Sequence, residues 1–272
     1  MTVRTVQVTW MLDVAAEHAE GIARDAAGAR LLFVDIPTGR VFSHDPETKT
    51  TTTHRLQCDV SFVHPTIGGE LLVAVREGIA ILASDGRLRT LAAPLRTKPE
   101  YRFDSTGRLS TELTGVTISN GIDWSPDESL AYYIDSTTRR VDQFDYNPLH
   151  GELSGRRPFV VIEDGAGLPD GLTVDTDGGV WVALSGGGQV RRYTPEAQLD
   201  CVIELPSAEL VTSCCFGGPG LDHLYISTST EGLTARQRSQ QPGAGFIFGV
   251  SPGYRGKPST SFPTQRTGGT TP

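Results

Sequence analysis

The chain has 272 residues, among them 31 glycines and 17 prolines, and its formal net charge is -8 at pH 7. The acidic balance argues against a nucleic acid or an anionic membrane as partner and is compatible with a cation site, and no run of about 18 apolar residues offers a membrane-spanning helix. The four cysteines, Cys58, Cys201, Cys214 and Cys215, form no CxxC pair, so we expect reduced thiols in a cytoplasmic protein.

The sequence repeats one pattern, in which turn residues precede an innermost strand and a second turn leads into a short apolar strand. The apolar strands are predicted, in chain order, at 31–34, 71–75, 131–134, 180–184 and 224–227. Each is followed by a second half of the repeat, with two more strands around a turn. The spacing of the runs, roughly 40 to 50 residues, is typical of a four-stranded propeller blade.

The repeat is interrupted once. Residues 97–113 supply another second half, but no first half precedes it. We therefore predict an all-β, six-bladed-type β-propeller that lacks about half to one blade between Glu100 and Tyr101. Residues 1–262 are predicted to form one propeller domain, with 259–262 paired to the N-terminal strand to close the ring, and 263–272 are predicted to be a disordered tail.

Three of the innermost strands begin with a polar oxygen ligand followed by glycine. These residues are Glu20, Asn120 and Asp170. Asn-Gly and Pro-Asp-Gly are also ordinary turn signals, so each residue taken singly is more simply a turn residue. All three occupy the same place in the repeat, however, and a propeller brings those places to one axis. Two carboxylates and an amide suit a hard divalent cation.

Longer stretches make a resemblance specific. The segments LLFVDIPTGRV, VTISNGIDWSPDESLAYYIDS, LPDGLTVDTDGGVWVA and TSCCFGG resemble the SMP-30/gluconolactonase/LRE family, and the likeness covers most of residues 10 to 252. It implies a six-bladed propeller that holds one divalent metal, which could be calcium, zinc, manganese or magnesium, and hydrolyses sugar lactones such as gluconolactone. The family's metal ligands fall on Glu20, Asn120 and Asp170, and its aspartate, Asp170, is also the proposed general base.

The chain departs from the family where the repeat is interrupted. The family's substrate-binding asparagine and a loop glutamate lie in the absent piece. Arg102 has two interpretations. It could stand for the family's substrate arginine, with Asp104 displacing the asparagine, or it could belong to the downstream strand YRFDSTG as an ordinary strand residue.

Three functional hypotheses remain open at this point. The first is a monomeric lactonase acting on a small-molecule sugar lactone. The second is a metal-binding protein that has lost the sugar pocket and has no useful catalysis. The third is that an incorrect gene model removed the segment from an ordinary six-bladed lactonase. Of the remaining polar and aromatic candidates, Trp124 and Trp181 are predicted to pack in the core, and Arg191 and Arg192 are predicted to be solvated strand edges.

Overall fold

The structure is a computed structural model that describes residues 3–76, 78–92, 100–104 and 106–263. The side chains of residues 10 and 100 are not part of that description, and the predicted tail from 264 onward lies outside it.

Short antiparallel strands make up most of the described chain. The chain begins with two single strands, β1 (Arg4–Gln7) and β2 (Trp10–Asp13). The first blade follows with β3 (Ala19–Asp25), β4 (Arg30–Asp35), β5 (Arg40–Asp45) and β6 (Thr50–Arg55). The second has β7 (Val60–Pro65), β8 (Leu71–Val75), β9 (Gly78–Leu82) and β10 (Leu88–Ala92).

The orphan half of the repeat is a two-stranded sheet made of β11 (Glu100–Phe103) and β12 (Leu109–Leu113). The next blade has β13 (Ser119–Trp124), β14 (Leu130–Asp135), β15 (Arg140–Asn147) and β16 (Glu152–Val161). A further blade has β17 (Leu168–Val174), β18 (Val180–Ser185), β19 (Gln189–Tyr193) and β20 (Leu199–Glu204). The last three strands are β21 (Val211–Gly217), β22 (His223–Thr228) and β23 (Phe246–Val250), with a short helix, α1 (Ala235–Gln240), before β23.

Both N-terminal strands join blades formed late in the sequence. Strand β2 pairs antiparallel with β23 and completes the last blade, and β1 adds in parallel to β20 as a fifth strand. Within the described residues the fold is therefore a β-propeller with five complete blades and a two-stranded fragment, not the six blades implied by the resemblance. The interruption is where the repeat placed it, because among the described residues the sheet of β11 and β12 has no further strand.

The core lies between neighbouring blades. Trp181, fully buried, packs edge-on against Phe216 of the next blade with ring centroids 5.7 Å apart, as the prediction of a core residue requires. The prediction for Arg192 is wrong, since this side chain is only 3% exposed. Its Nε donates to Asp175 Oδ2 at 2.6 Å, and its guanidinium lies 3.9 Å from the ring centroid of Tyr254. The carboxylate of Asp175 and the rings of Tyr254 and Trp181 surround the guanidinium, so Arg192 lies in the core although its residue type usually faces solvent.

The innermost strands follow one another around the ring in the order β7, β3, β21, β17, β13, each in contact with the next. Strands β7 and β13 lie at the two ends of this series, on either side of the two-stranded fragment. Leu113 of β12 packs against the cluster that contains Ile122 and Trp124 of β13. The fragment therefore attaches to the blade that follows it and leaves an arc of the inner ring without a strand of its own.

The last described residues, 252–263, form a segment that we call the C-terminal strap. It runs past the far ends of the innermost strands, opposite to their first residues. The Gly256 N–H donates to Leu221 O at 2.8 Å, and Arg255 O accepts from the Thr176 N–H at 2.9 Å. Lys257 Nζ then donates to Asp123 Oδ1 at 2.8 Å, at the end of β13.

The strap ends on the second blade. The Phe262 N–H donates to Pro65 O at 2.8 Å, its carbonyl accepts from the Ile67 N–H at 3.0 Å, and its ring stacks on Phe103 of β11 at 5.6 Å. The predicted pairing of 259–262 with the N-terminal strand is wrong, because β2 has β23 as its partner. The strap instead connects β13, the two-stranded fragment and β7, which are the elements around the incomplete arc.

Candidate metal centre

Each innermost strand has an irregularity of register near its first residues. The strand pairing shifts between Glu20 and Ala23, Val60 and Phe62, Ser119 and Ile122, Pro169 and Leu172, and Val211 and Ser213. These β-bulges redirect side chains at the end of the channel where the strands begin. Ser61, Asn120, Asp170 and Thr212 lie inside these shifts, and Glu20 directly precedes the shift in β3.

Backbone hydrogen bonds show that three of these positions are equivalent. The Ile36 N–H donates to His18 O at 3.1 Å, and the Ser136 N–H donates to Ile118 O at 3.0 Å. In both cases the donor directly follows the second strand of the blade, and the acceptor lies two residues before Glu20 or Asn120. The same bond runs from Ser229 to Leu210 at 2.9 Å. Glu20 and Asn120 therefore occupy the same position in their blades, and Thr212 occupies that position in a third.

Glycine after the ligand lets the blades approach. A β-carbon at Gly121 would lie 2.9 Å from the carbonyl oxygen of Asp170, and one at Gly171 would lie 2.7 Å from Cα of Ser213. Neither distance leaves room for a side chain, so both glycines are required by close backbone packing. The ligand-bearing ends of β13 and β17 are therefore held against each other, and β17 is held against the start of β21.

Glu20 and Asp170 interact electrostatically. Burial raises the pKa of Glu20, although the hydrogen bond from the Gly21 N–H and the charge of His18 act in the opposite direction. Burial, and then the charge of Glu20, raise the pKa of Asp170 well above its ordinary value. Two carboxylates that each disfavour the other's ionisation in a shielded site call for a neighbouring positive charge.

The oxygen atoms of the candidate ligands are suited to binding a cation. Glu20 Oε2 is shielded from solvent and has no hydrogen-bond partner among the described residues. A buried carboxylate oxygen without a partner is costly unless a ligand occupies it. Counting only His, Cys, Asp and Glu, the described chain has no group of three that could hold a metal ion. The candidate centre differs in composition, with two carboxylates and the amide of Asn120, a set that suits a hard divalent cation.

Two hydroxyl groups orient the candidate ligands. Asn120 Nδ2 donates to Ser136 Oγ at 2.8 Å, and Ser136 Oγ donates in turn to Pro169 O at 2.7 Å. The Asn120 amide nitrogen is thereby turned away and its oxygen is left for another partner. Thr212, at the equivalent position of β21, donates its hydroxyl hydrogen to the carbonyl of Ala19, the residue before Glu20, at 2.5 Å and lies 2.8 Å from the Ser227 hydroxyl. Sequence reasoning missed both residues, although the register of TSCCFGG in the repeat points to Thr212.

Buried aspartates fix the segments that lead into two of the ligands. Asp35 Oδ1 accepts from the N–H groups of Glu17 at 3.1 Å and His18 at 2.8 Å. Asp135 accepts from those of Thr117 at 2.9 Å and Ile118 at 3.0 Å. Burial alone would raise the pKa of Asp35 and Asp135, but these hydrogen bonds outweigh it and lower both.

Arg102 is placed apart from the three candidate ligands. It lies in β11, where its Nε is 3.3 Å from Glu112 Oε1, and its Nη1 donates to the carbonyl of His150 in the turn between β15 and β16. Asp104 accepts hydrogen bonds from Thr106 and the Arg108 N–H within its own turn. These contacts favour the interpretation of Arg102 as an ordinary strand residue.

Comparison with known proteins agrees with the resemblance found in the sequence. Residues 18–104 and 96–230 match the SMP-30/Gluconolactonase/LRE-like region in two pieces that meet where the repeat is interrupted. Regucalcin from Bos taurus is 41% identical over 284 residues, covering 91% of this chain and 95% of that protein. A Bacillus subtilis (strain 168) protein, named provisionally as the sugar lactone lactonase YvrE, is 31% identical over 267 residues, with 87% and 91% covered.

The fold has a close counterpart among solved structures. The calcium-binding protein regucalcin from Agrobacterium tumefaciens str. C58 superposes with a TM-score of 0.87 at 19% identity, covering 97% of this chain and all of that one. Among the described residues no helix has the length and apolar character needed to cross a membrane.

Proposed function

The chain belongs to the SMP-30/gluconolactonase/LRE-like family, and from that premise we propose that it is a divalent-metal-dependent lactonase acting at Glu20, Asn120 and Asp170. The observation that supports the proposal is the electrostatic coupling of two shielded carboxylates, Glu20 and Asp170, which together with Asn120 lie at or beside the register shifts of three innermost strands. The family description and the name of the Bacillus relative support lactone hydrolysis as the reaction.

Each residue of the candidate centre has its own role in the proposed hydrolysis. A divalent cation bound by the three side chains would supply Lewis-acid polarisation of the lactone carbonyl. Asp170 would accept the proton of the attacking water, because a neighbouring cation favours its ionised carboxylate. The water oxygen bonds to the carbonyl carbon, the bond from that carbon to the ring oxygen breaks, and a proton reaches the ring oxygen to give a hydroxy acid. Thr212 and Ser136 hold Glu20 and Asn120 in place.

The test is hydrolysis of gluconolactone and of simpler δ-lactones by the purified chain, followed by proton release. We expect activity that EDTA abolishes and that added manganese, zinc, calcium or magnesium restores. Asp170→Asn should remove turnover while circular dichroism shows an intact fold. Asp177→Asn, the same substitution in an exposed turn of the same blade, is the control and should retain activity. Full turnover in Asp170→Asn contradicts the assignment.

A second candidate is a metal-binding protein without catalysis. The observation in its favour is the two-stranded fragment, because the described part of the chain supplies no inner strands to that sheet. On this hypothesis calorimetry detects cation binding that Asp170→Asn abolishes, while no lactone is hydrolysed at any metal concentration. Binding and turnover measured on the same preparation therefore separate the two candidates.

A further inference from the structure

A cavity of about 520 Å³ lies where the first blade meets the last. The first blade contributes Arg24, Arg30 and Leu31, on either side of the turn from β3 to β4, and the last blade contributes Tyr225 of β22. Arg24 follows the candidate metal ligand of β3 by four residues, about 13 Å along an extended strand. The cavity is therefore separate from the metal centre, and its volume is that of a small-molecule site.

The inner wall of the cavity belongs to the core between the two blades. Leu31 and Tyr225 are buried in one cluster together with Cys215 of β21. Burial raises the pKa of the Cys215 thiol to about 12 and also raises that of the Tyr225 hydroxyl, and the positive charge of Arg24 opposes the rise in both. The guanidinium of Arg24 therefore lies close to the last blade, although its backbone belongs to the first.

Arg24 lacks an anionic partner among the described residues. Its side chain is half-buried, and within the described ranges it makes neither a hydrogen bond nor an ion pair. Other arginine side chains that lack such a partner in the described part of the chain are all exposed to solvent, namely Arg55, Arg89, Arg108, Arg236 and Arg255. A guanidinium partly withdrawn from water without a counter-charge is unfavourable unless a ligand supplies that charge.

Arg30 adds a second guanidinium, which an ion pair fixes in place. Its Nη2 donates to Asp25 Oδ2 at 2.6 Å, and the Asp25 side chain is 6% exposed. Gly28 in the same turn leaves room for the pair, because a β-carbon there would lie 2.6 Å from Asp25 Oδ2. Asp25 neutralises the charge of Arg30, so the charge that remains for a ligand is that of Arg24.

The cavity combines this positive charge with apolar walls. Leu31 and Tyr225 are 1% and 5% exposed, and Pro46 and Pro219 line the same space. Guanidinium groups bind carboxylates through paired, charge-assisted hydrogen bonds. The leucine, the prolines and the tyrosine ring are suited to a hydrocarbon body. The walls therefore match a molecule with one anionic end and an apolar remainder.

Glu47 limits the negative charge that the cavity accepts. This exposed residue lines the cavity from the turn between β5 and β6. His223 lines it as well, but its Nδ1 already lies 3.3 Å from Asp222 Oδ1. Because the carboxylate of Glu47 repels a dianion more strongly than a monoanion, a carboxylate fits the cavity better than a phosphate.

We propose that this cavity binds a small organic monocarboxylate with an apolar body, with its carboxylate on Arg24 and its hydrocarbon part against Leu31 and Tyr225. The inference is independent of the proposed lactonase activity, since the cavity lies at the other end of the strands from the metal centre. Its walls come from the first and the last blades, so a bound ligand should stabilise the closed ring.

The experiment is calorimetric titration of the full chain in EDTA with naphthoate, neutral naphthamide of the same shape, acetate and inorganic phosphate. EDTA removes metal ions to which a carboxylate could bind. We expect one naphthoate per chain, binding of naphthamide that is weaker by about tenfold or more, and weaker binding of acetate and phosphate. Naphthoate should also raise the melting temperature.

Substitutions locate the bound carboxylate. Arg24→Gln should weaken naphthoate binding by about tenfold or more and leave that of naphthamide unchanged. Glu47→Gln, at an exposed position, should strengthen naphthoate binding by about two- to fivefold, and it repeats the test if Arg24→Gln does not fold. Arg89→Gln, which removes an exposed arginine without a partner among the described residues, is the matched control and should bind as wild type does.

The outcomes that overturn the proposal are specific. Naphthoate binding that is absent, equal to that of naphthamide, or unchanged by Arg24→Gln contradicts the site. Tighter binding of phosphate than of naphthoate contradicts the ligand class. Asp170→Asn should leave the affinity for naphthoate unchanged, and a loss of binding in that variant would place the ligand at the candidate metal centre instead of the cavity.

Discussion

Asp170→Asn is expected to change stability in opposite directions with and without metal. In the metal-free protein, burial and the charge of Glu20 raise the pKa of Asp170, so the fold favours the protonated carboxyl. The stability contributed by this group is present below its unfolded pKa and is lost as the pH rises through its folded pKa. A neutral asparagine avoids that loss. In mildly alkaline EDTA the variant should therefore melt at or above the wild-type temperature.

With metal bound, wild-type protein should melt at a higher temperature than Asp170→Asn. A ligand at about 100 times its dissociation constant stabilises the folded state by about 2.7 kcal/mol. For a domain of this size such a change corresponds to a rise in melting temperature of about 5–10 °C. Wild-type protein should show this rise, whereas Asp170→Asn should show little of it because one of three ligands has lost its charge. Differential scanning calorimetry across the acidic to alkaline range, in EDTA and in each candidate metal, measures both effects.

The test is specific because the difference in melting temperature between Asp170→Asn and wild type should change sign between EDTA and metal. A substitution that merely damages packing lowers the melting temperature under both conditions. Asp177→Asn should leave both curves unchanged, since Asp177 lies in an exposed turn at the other end of β17. The reasoning is refuted if Asp170→Asn is clearly less stable than wild type in alkaline EDTA, or if it retains the full stabilisation by metal.

Three further predictions concern positioning, the core and the thiols. Arg192→Met leaves Asp175 buried without its cation and should cost about 3–5 kcal/mol in urea unfolding, whereas Arg87→Met, 85% exposed at the side chain, should cost less than about 1 kcal/mol. Thr212→Val should weaken metal binding by about 10–100-fold in calorimetry, with recovery in Thr212→Ser; unchanged affinity contradicts its role. Because burial raises the pKa of Cys215 to about 12, this thiol should resist alkylation in native protein and react once urea unfolds it.

The repeat in the sequence was sufficient to predict the architecture around the centre. The apolar runs became second strands of blades, and the interruption near Glu100 corresponds to a real two-stranded fragment. Glu20, Asn120 and Asp170, which share a place in the repeat, each lie at or beside the register shift of their innermost strand. These features are local or periodic, so a single chain displays them. Their role as ligands stays a proposal.

Other features depend on contacts between distant parts of the chain and leave no periodic signal. From its residue type and position Arg192 is predicted to lie at the surface. Only the structure shows its charge partner, Asp175, seventeen residues earlier in the chain. Ser136 resembles any residue that follows a strand, and only its bond to Asn120 gives it a role. The route of the C-terminal strap could not be predicted because its partners lie on four different blades.

The strap has a consequence for the order in which the molecule can be assembled. Strand β2 pairs with β23, and the carbonyl of Pro65 accepts from the Phe262 N–H. These elements from the first quarter of the chain therefore find their hydrogen-bond partners only near its end. Blades can form one after another as the polypeptide emerges from the ribosome, but the ring cannot be completed until synthesis has passed Phe262. High contact order of this kind slows folding. The chain should therefore pass through an open, blade-containing intermediate whose exposed faces are a natural target for chaperones.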